Sequence, residues 1–301
     1  MQLAKVLGAI GRVCITAGVL ILLFVAYQLW GTGIREAQAQ NRLEDQFAET
    51  LDESTTTTTG PPTSTPPTTE VAPPPPPPEG GDAVAQIRIP AIGVDKIVVE
   101  GVAIPDLKKG PGHYPGSPLP GQPGNAAIAG HRTTYGAPFN RIDELKPGDE
   151  ILVTTVQGSF RYEVREQLVV KPDQVEVLDD FGDDRLTLTA CHPKYSARQR
   201  IVVVAALQGP AAAATPTDDA TDTNSGRRAS TATLDAGLGG VRASAWPAIF
   251  LAVACALIWV AAWLGGKLWS KWPAYAVGLP IFLVVLYFFF EDFSRLLPAN
   301  F

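Results

Sequence analysis

Residues 185–204 read Arg185-Leu-Thr-Leu-Thr-Ala-Cys191-His-Pro-Lys-Tyr-Ser-Ala-Arg-Gln-Arg200-Ile-Val-Val-Val204, a strand, a loop and a second strand. Leu186, Leu188 and Ala190 alternate with Thr187, Thr189 and Cys191. On a pleated strand the first three share one face, and Cys191 joins two threonines on the other. Cys191 therefore stands at a strand tip, on the more polar side, before a loop that Pro193 helps to end. Arg200 then opens the β-branched run Ile201–Val204, which suits a buried neighbouring strand. A thiol at a strand tip beside a guanidinium is a place to make and hold a thiolate. The plainer reading of a lone cysteine is a small apolar filler, so the rest of the chain has to decide.

Working outward, residues 84–208 read as short strands separated by Pro, Gly and Asp clusters. The candidates are 85–89, 94–100, 125–129, 150–156, 159–169, 174–178, 185–191 and 200–207. Gln157-Gly158 reads as a two-residue hairpin turn, and residues 137–145 as one short turn. Eight strands in so short a segment predict an all-β fold, a closed or nearly closed barrel.

Three apolar runs and two low-complexity tracts flank this unit, leaving one ordinary domain's worth of sequence among 301 residues. Val13–Trp30 is uncharged and long enough to span a bilayer. Lys5 and Arg12 precede it, which keeps the N-terminus inside and exports the chain beyond the run. Ala37-Gln-Ala39 resembles a signal-peptidase site but lies well past the run, so residues 1–33 are expected to form a cytoplasmic N-terminus and a retained signal-anchor. Residues 34–83 read as an extracytoplasmic stalk: Ile34–Asp52 is polar and helix-tolerant, and Glu53–Asp82 is Thr- and Pro-rich and cannot bury a core. Residues 209–244 read as a second flexible linker. Two further spans are expected at 245–266 and 272–290, with Lys267 and Lys271 in the loop between them and residues 291–301 as a tail. The prediction is a multi-pass protein of the cell membrane with three spans and an extracytoplasmic catalytic domain.

The net charge of −6 gives no basic footprint, which argues against a nucleic-acid partner. Cys14 and Cys255 lie inside apolar runs, so Cys191 has no disulfide partner within the soluble part. No cofactor is implied, and no calcium-loop or zinc-ligand spacing appears. Asn125-Ala-Ala-Ile-Ala-Gly130-His131 is an apolar strand that delivers a histidine at its tip, with Gly130 permitting a turn or a close approach. Cys191, His131 and Arg200 form a chemically complete set. A thiolate attacks a peptide carbonyl, an imidazole moves protons, and a guanidinium holds the oxyanion. Of the other two histidines, His113 sits in a Gly/Pro loop and reads as a packing residue, and His192 points to the opposite side from its neighbour Cys191. Arg198 competes with Arg200.

These residues resemble the sortases: TLTxC at a strand end, an arginine after eight intervening residues, and an upstream AGH. GPGHYPGSPLPGQPGNAAIAGHRTTYGAPF followed by KPGD is similar to the actinobacterial class E group. The resemblance covers residues 84–208 almost entirely. It implies an eight-stranded sortase-type β-barrel and cysteine transpeptidation by Cys191, His131 and Arg200. In class E a tyrosine before the histidine strand is tied to accepting Ala where other sortases prefer Pro. Tyr114 matches it, and Thr189 joins it as a candidate substrate-binding residue. The implied partners are surface proteins bearing an LAXTG- or LPXTG-like sorting signal, cleaved between Thr and Gly, and the amine of a lipid II-like peptidoglycan precursor. Two departures stand out. Ala190 replaces a threonine that many members carry before the cysteine, and two C-terminal spans are not usual in class E. A C-terminal span is familiar in pilin-polymerising sortases, which use a lysine acceptor. A non-catalytic wall scaffold is the rival from another class.

Overall fold

The computed structural model describes residues 2–56, 76–215, 244–268 and 271–294. Most of the Thr/Pro-rich tract and of the second linker, on which extended chain was expected, lies outside the described residues.

The chain divides into two units, residues 32–239 and residues 1–31 with 240–299. In the first, alternating apolar residues build strands β1 (Ala83–Ile89), β2 (Val94–Glu100), β3 (Gly112–His113), β4 (Asn125–Ala129), β5 (Glu150–Thr155), β6 (Gly158–Val170), β7 (Arg185–His192) and β8 (Gln199–Gln208). They close into a barrel in the order β1-β2-β3-β4-β7-β8-β6-β5. β4 runs parallel to β7, and β7 antiparallel to β8. Closure is thinnest at β3, which meets β2 only through Val99 and Glu100. Inside, Ile87, Ile89, Ile128, Ile151, Val153, Leu186, Leu188, Ile201 and Val203 form the core, with Phe139 and Ile142 from the loop after β4.

The predicted strand at 174–178 is instead a 3-10 turn, Val175–Leu178. Asn125 Nδ2 donates to the carbonyls of Val177 (3.1 Å) and Asp179 (2.9 Å), so a side chain takes the acceptors a ladder would use. The eighth strand is β3, two residues long and too short to show a period. The expected hairpin turn is shifted by one residue. Thr155 pairs with Gly158, leaving Val156-Gln157 as the loop, and Gly158 takes φ 136°.

Helix α2 (Thr32–Thr56) belongs to the same unit as the barrel. Leu43 and Phe47 pack on Ile97 and Val99 of β2. Gln40 satisfies β2 backbone directly: Oε1 accepts from Ile97 N–H (2.8 Å), and Nε2 donates to Ile97 O (3.0 Å) and Lys109 O (2.8 Å). Glu36, 2 % exposed, pairs with Lys96 Nζ at 2.7 Å. A segment that reads as a polar stalk thus lays a mixed stripe along the barrel wall. A short helix, α3 (Ile104–Leu107), follows β2.

The second unit holds helix α1 (Gln2–Ala26), α4 (Trp246–Leu268) and α5 (Lys271–Ser294). α4 and α5 are long and apolar enough to cross a membrane, and only 11 % of each apolar window is buried. Gly278 lies against Ala262, where a Cβ would sit 2.7 Å from the alanine methyl, so the two helices approach closely. The apolar stretch of α1, Ile10–Ala26, is shorter. Its Phe24 meets Phe290 edge-on at 5.3 Å, and Tyr27 meets Tyr287 likewise.

Candidate active site

Strand register brings the three candidate residues to neighbouring strand ends. β4 pairs with β7 through Ala129 opposite Thr189, and Gly130 N–H donates to Thr189 O (3.0 Å). His131, one step further, arrives level with Cys191. On the other side Cys191 is the cross-strand partner of Arg200. Three neighbouring strand ends thus present an imidazole, a thiol and a guanidinium along one rim.

Parity sends all three to the same face. Ala126, Ile128, Leu186, Leu188, Ala190, Ile201 and Val203 point into the main core. Ala127, Ala129 and Cys191 instead join Val102, Leu107, Tyr114 and Leu178 in a second apolar cluster, with Val175 and Val177 packed against it. The two alanines keep the floor low. The 3-10 turn at 175–178 supplies one wall. Gly130 serves a close approach: a Cβ there would lie 2.5 Å from the Phe139 ring.

Arg200 is fully buried, and its Nη1 donates to Ala197 O (2.9 Å) and Gln199 O (3.0 Å). Those bonds fix the guanidinium plane beside Cys191. Arg198 is exposed. The Tyr114 hydroxyl lies 3.0 Å from Thr189 Oγ1, so the two expected substrate-binding residues touch each other. Burial pushes the Tyr114 phenol up to about 12 against the opposing effects of Thr189 and Arg200, so it stays neutral.

His131 is 4 % exposed, and its Nε2 has no hydrogen-bond partner among the described residues. Burial, with a smaller push from Lys108, lowers its pKa to about 4. The ring is therefore neutral at pH 7, with one ring nitrogen carrying a free lone pair. Tyr135 lies over it at 5.3 Å. Tyr135, Gly136 and Ala137 are consecutive left-handed residues, φ 50°, 71° and 43°. Such strain persists only where surroundings hold it. Here Tyr135 N–H donates to Thr32 Oγ1 of α2 (3.3 Å) and Ala137 N–H to Thr134 O (2.9 Å).

Sequence reasoning missed Arg132. Buried to 3 % exposure, it reaches Asp143 Oδ1 at 2.6 Å and His192 Nδ1 at 3.2 Å, and donates to Cys191 O at 3.5 Å. It ties the histidine loop to the cysteine strand. Nothing in the local pattern marks it except its place after His131.

A sortase domain family model matches residues 87–208. Sortase SrtE1 of Streptomyces coelicolor is 36 % identical over 215 residues, 65 % of this chain and 55 % of the relative. This chain belongs to the sortase family. Its sortase domain has class E members among its relatives. Sortase D of Bacillus subtilis is 34 % identical over 116 residues, 38 % of this chain and 57 % of that one. The chain thus spans a little over half the length of these two curated relatives. The solved structure of sortase E from Streptomyces avermitilis is 34 % identical and covers 48 % of this chain and 97 % of its own, with a TM-score of 0.40.

Proposed function

We propose that this chain is a membrane-anchored cysteine transpeptidase. It cleaves an LAXTG- or LPXTG-like signal between Thr and Gly and passes the acyl group to an amine of a cell-wall precursor. The observation that carries the reading is the row His131, Cys191, Arg200 across three adjacent strand ends.

The chemistry follows from the three groups. Neutral His131 accepts the Cys191 proton as sulfur attacks the threonine carbonyl carbon, and the buried Arg200 guanidinium stabilises the oxyanion. The tetrahedral adduct collapses. The C–N bond to glycine breaks, His131 returns its proton to the leaving amine, and a thioester remains on Cys191. An incoming amine then attacks the thioester, gives its proton to His131, and releases the sulfur, which regains that proton. The apolar cluster beside Cys191 suits the apolar residues of the signal, and Tyr114 with Thr189 lines the part of the groove that selects Ala or Pro at the second position.

The outer regions take supporting roles. Residues 1–33 anchor the chain, 34–83 join that anchor to the barrel (84–208) with α2 packed on the barrel wall, and 209–244 lead to spans at 245–266 and 272–290. The catalytic domain then lies outside the cell, where sorted surface proteins and the wall amine meet it. The test is to incubate the full-length chain in detergent micelles with an LAXTG peptide and seek an acyl adduct by mass spectrometry. An adduct on wild type that is lost in Cys191→Ala is expected. An adduct persisting in that variant overturns the reading.

The two C-terminal apolar helices favour one variant of this reading, in which the acceptor is a lysine of another pilin. Covalent protein ladders in cells would select it, and wall-linked monomers alone would reject it.

A further inference from the structure

Away from the reactive rim, one polar network lies inside the wall formed by β2, β3 and β4. Glu100 ends β2 and His113 ends β3, and the two are register partners. They are 7 % and 2 % exposed. His113 Nδ1 is 2.7 Å from Glu100 Oε2, and His113 Nε2 is 2.9 Å from both Ser117 Oγ and Pro118 O. In outline this is a Ser–His–acid array of the kind that activates a serine nucleophile.

Hydrogen counting excludes that role. Ser117 Oγ has one hydrogen, donated to Tyr114 O (2.8 Å), and it accepts from Ala127 N–H (3.2 Å). Its remaining lone pair faces Nε2. Pro118 O can only accept, so Nε2 carries a hydrogen. Nδ1 lies 2.7 Å from the Glu100 carboxyl, with one hydrogen between them. Ser117 is saturated and has no lone pair left for attack.

What the network holds is Tyr114. Its carbonyl receives both Ser117 N–H (3.0 Å) and Ser117 Oγ, and its N–H donates to Ala127 O (2.9 Å). Gly116, φ 86°, allows the turn between them. At the other end of the residue, the Tyr114 hydroxyl meets Thr189, two positions before Cys191. An unbroken chain of bonds therefore runs from Glu100 through His113 and Ser117 to Tyr114 and the cysteine strand.

We propose that Glu100 and His113 are positioning residues for substrate selection: their buried pair fixes the Tyr114–Ser117 turn and so sets where the Tyr114 ring meets the second residue of the sorting signal. The inference rests on the proposed role of Tyr114. A buried polar pair adds little net stability but is a firm constraint on geometry once its hydrogen bonds are complete. Small displacements of a substrate contact alter how well each peptide is held.

The experiment uses the full-length chain in detergent micelles with two peptides, one carrying LAXTG and one LPXTG. For wild type, Glu100→Gln, His113→Gln and Tyr114→Ala, kcat and KM are measured on each peptide. The alkylation rate of Cys191 by iodoacetamide and the Tm are recorded alongside. Glu100→Gln and His113→Gln are expected to lower the Ala-to-Pro ratio of kcat/KM by ~5- to 10-fold, the size of one lost ordinary hydrogen bond. The change should fall mainly on KM, with Cys191 alkylation unchanged. A merely structural role would lower Tm and reduce both peptides alike, and an unchanged ratio overturns the proposal. If Tyr114→Ala shifts the ratio while the other two do not, the inference fails and the reading of Tyr114 stands. If Tyr114→Ala leaves the ratio unchanged, or wild type processes neither peptide, the reading beneath it fails and the inference with it. Should neither Glu100→Gln nor His113→Gln fold, Ser117→Ala, which spares the Glu100–His113 bond, is read in the same way.

Discussion

Cys191 and Arg200 are direct cross-strand partners on β7 and β8, and the guanidinium of that pair is fully buried. A charge held there by two backbone carbonyls cannot swing away to solvent. Its orientation is set before any substrate arrives, which is the condition under which a donor stabilises a developing oxyanion most strongly.

Arg200→Lys should therefore be far from conservative. The ammonium lacks the planar fork that meets both carbonyls and still faces Cys191. Peptide cleavage should fall by ~10²- to 10³-fold in kcat, the loss typical of an oxyanion donor. Arg198→Lys, at an exposed position, should leave cleavage within about twofold of wild type. Equal losses in the two variants would remove Arg200 from the mechanism.

His131 should leave a mark on stability as pH falls. Its folded pKa, about 4, lies below the ordinary 6.5, first through burial and then through Lys108. Between those values the unfolded chain binds a proton that the folded chain does not, so stability is full above pH 6.5 and declines toward pH 4. The decline attributable to this one ring is on the order of 3 kcal/mol. Denaturant melts of wild type and His131→Asn across this window should show a shallower pH slope in the variant; parallel slopes would contradict the buried neutral ring.

Arg132 and Asp143 should behave asymmetrically although they form one ion pair. The arginine side chain is 2 % exposed and the aspartate 41 %. Arg132→Ala removes its contacts to Asp143, His192 and the Cys191 carbonyl together and should cost ~2–3 kcal/mol. Asp143→Asn keeps an acceptor at a half-exposed site and should cost under ~1 kcal/mol. Urea unfolding of the two variants compares them directly.

Phe47→Ala should reveal how firmly α2 is held. Phe47 is 3 % exposed and packs with Leu43 on Ile97 and Val99. Truncation should cost ~3 kcal/mol, and amide exchange should quicken along α2. Because Thr32 of the same helix binds the strained loop over His131, a faster alkylation of Cys191 is expected as well. Unchanged exchange in α2 would show that the helix does not depend on this contact.

Much of the site was legible because a strand has a period of two. Leu186, Leu188 and Ala190 against Thr187, Thr189 and Cys191 place the thiol off the main core without any coordinates, and the structure agrees. Arg200 was legible as the charged residue opening a β-branched run. The error at 174–178 came from the same rule. Val175 and Val177 alternate like a strand, but Asn125, fifty residues away in the chain, claims the carbonyls a ladder would need.

Two further features gave no local signal. Gln40 on α2 looks like any polar helix residue, yet it completes β2 backbone bonds. Arg132 looks like a surface cation, yet it is buried against the cysteine strand. In each case the partner lies far along the chain, so neither periodicity nor composition can encode the contact.

Residue type and short-range spacing were enough to settle the family, the alternation that builds the barrel, and the kinds of group available for chemistry. They could not settle that parallel β4 and β7 bring the segment carrying His131 beside the Cys191 strand, that Glu100 and His113 are bonded to each other, or that α2 lies along the barrel. Those relationships arise from strand register and closure, which join segments through space rather than along the chain.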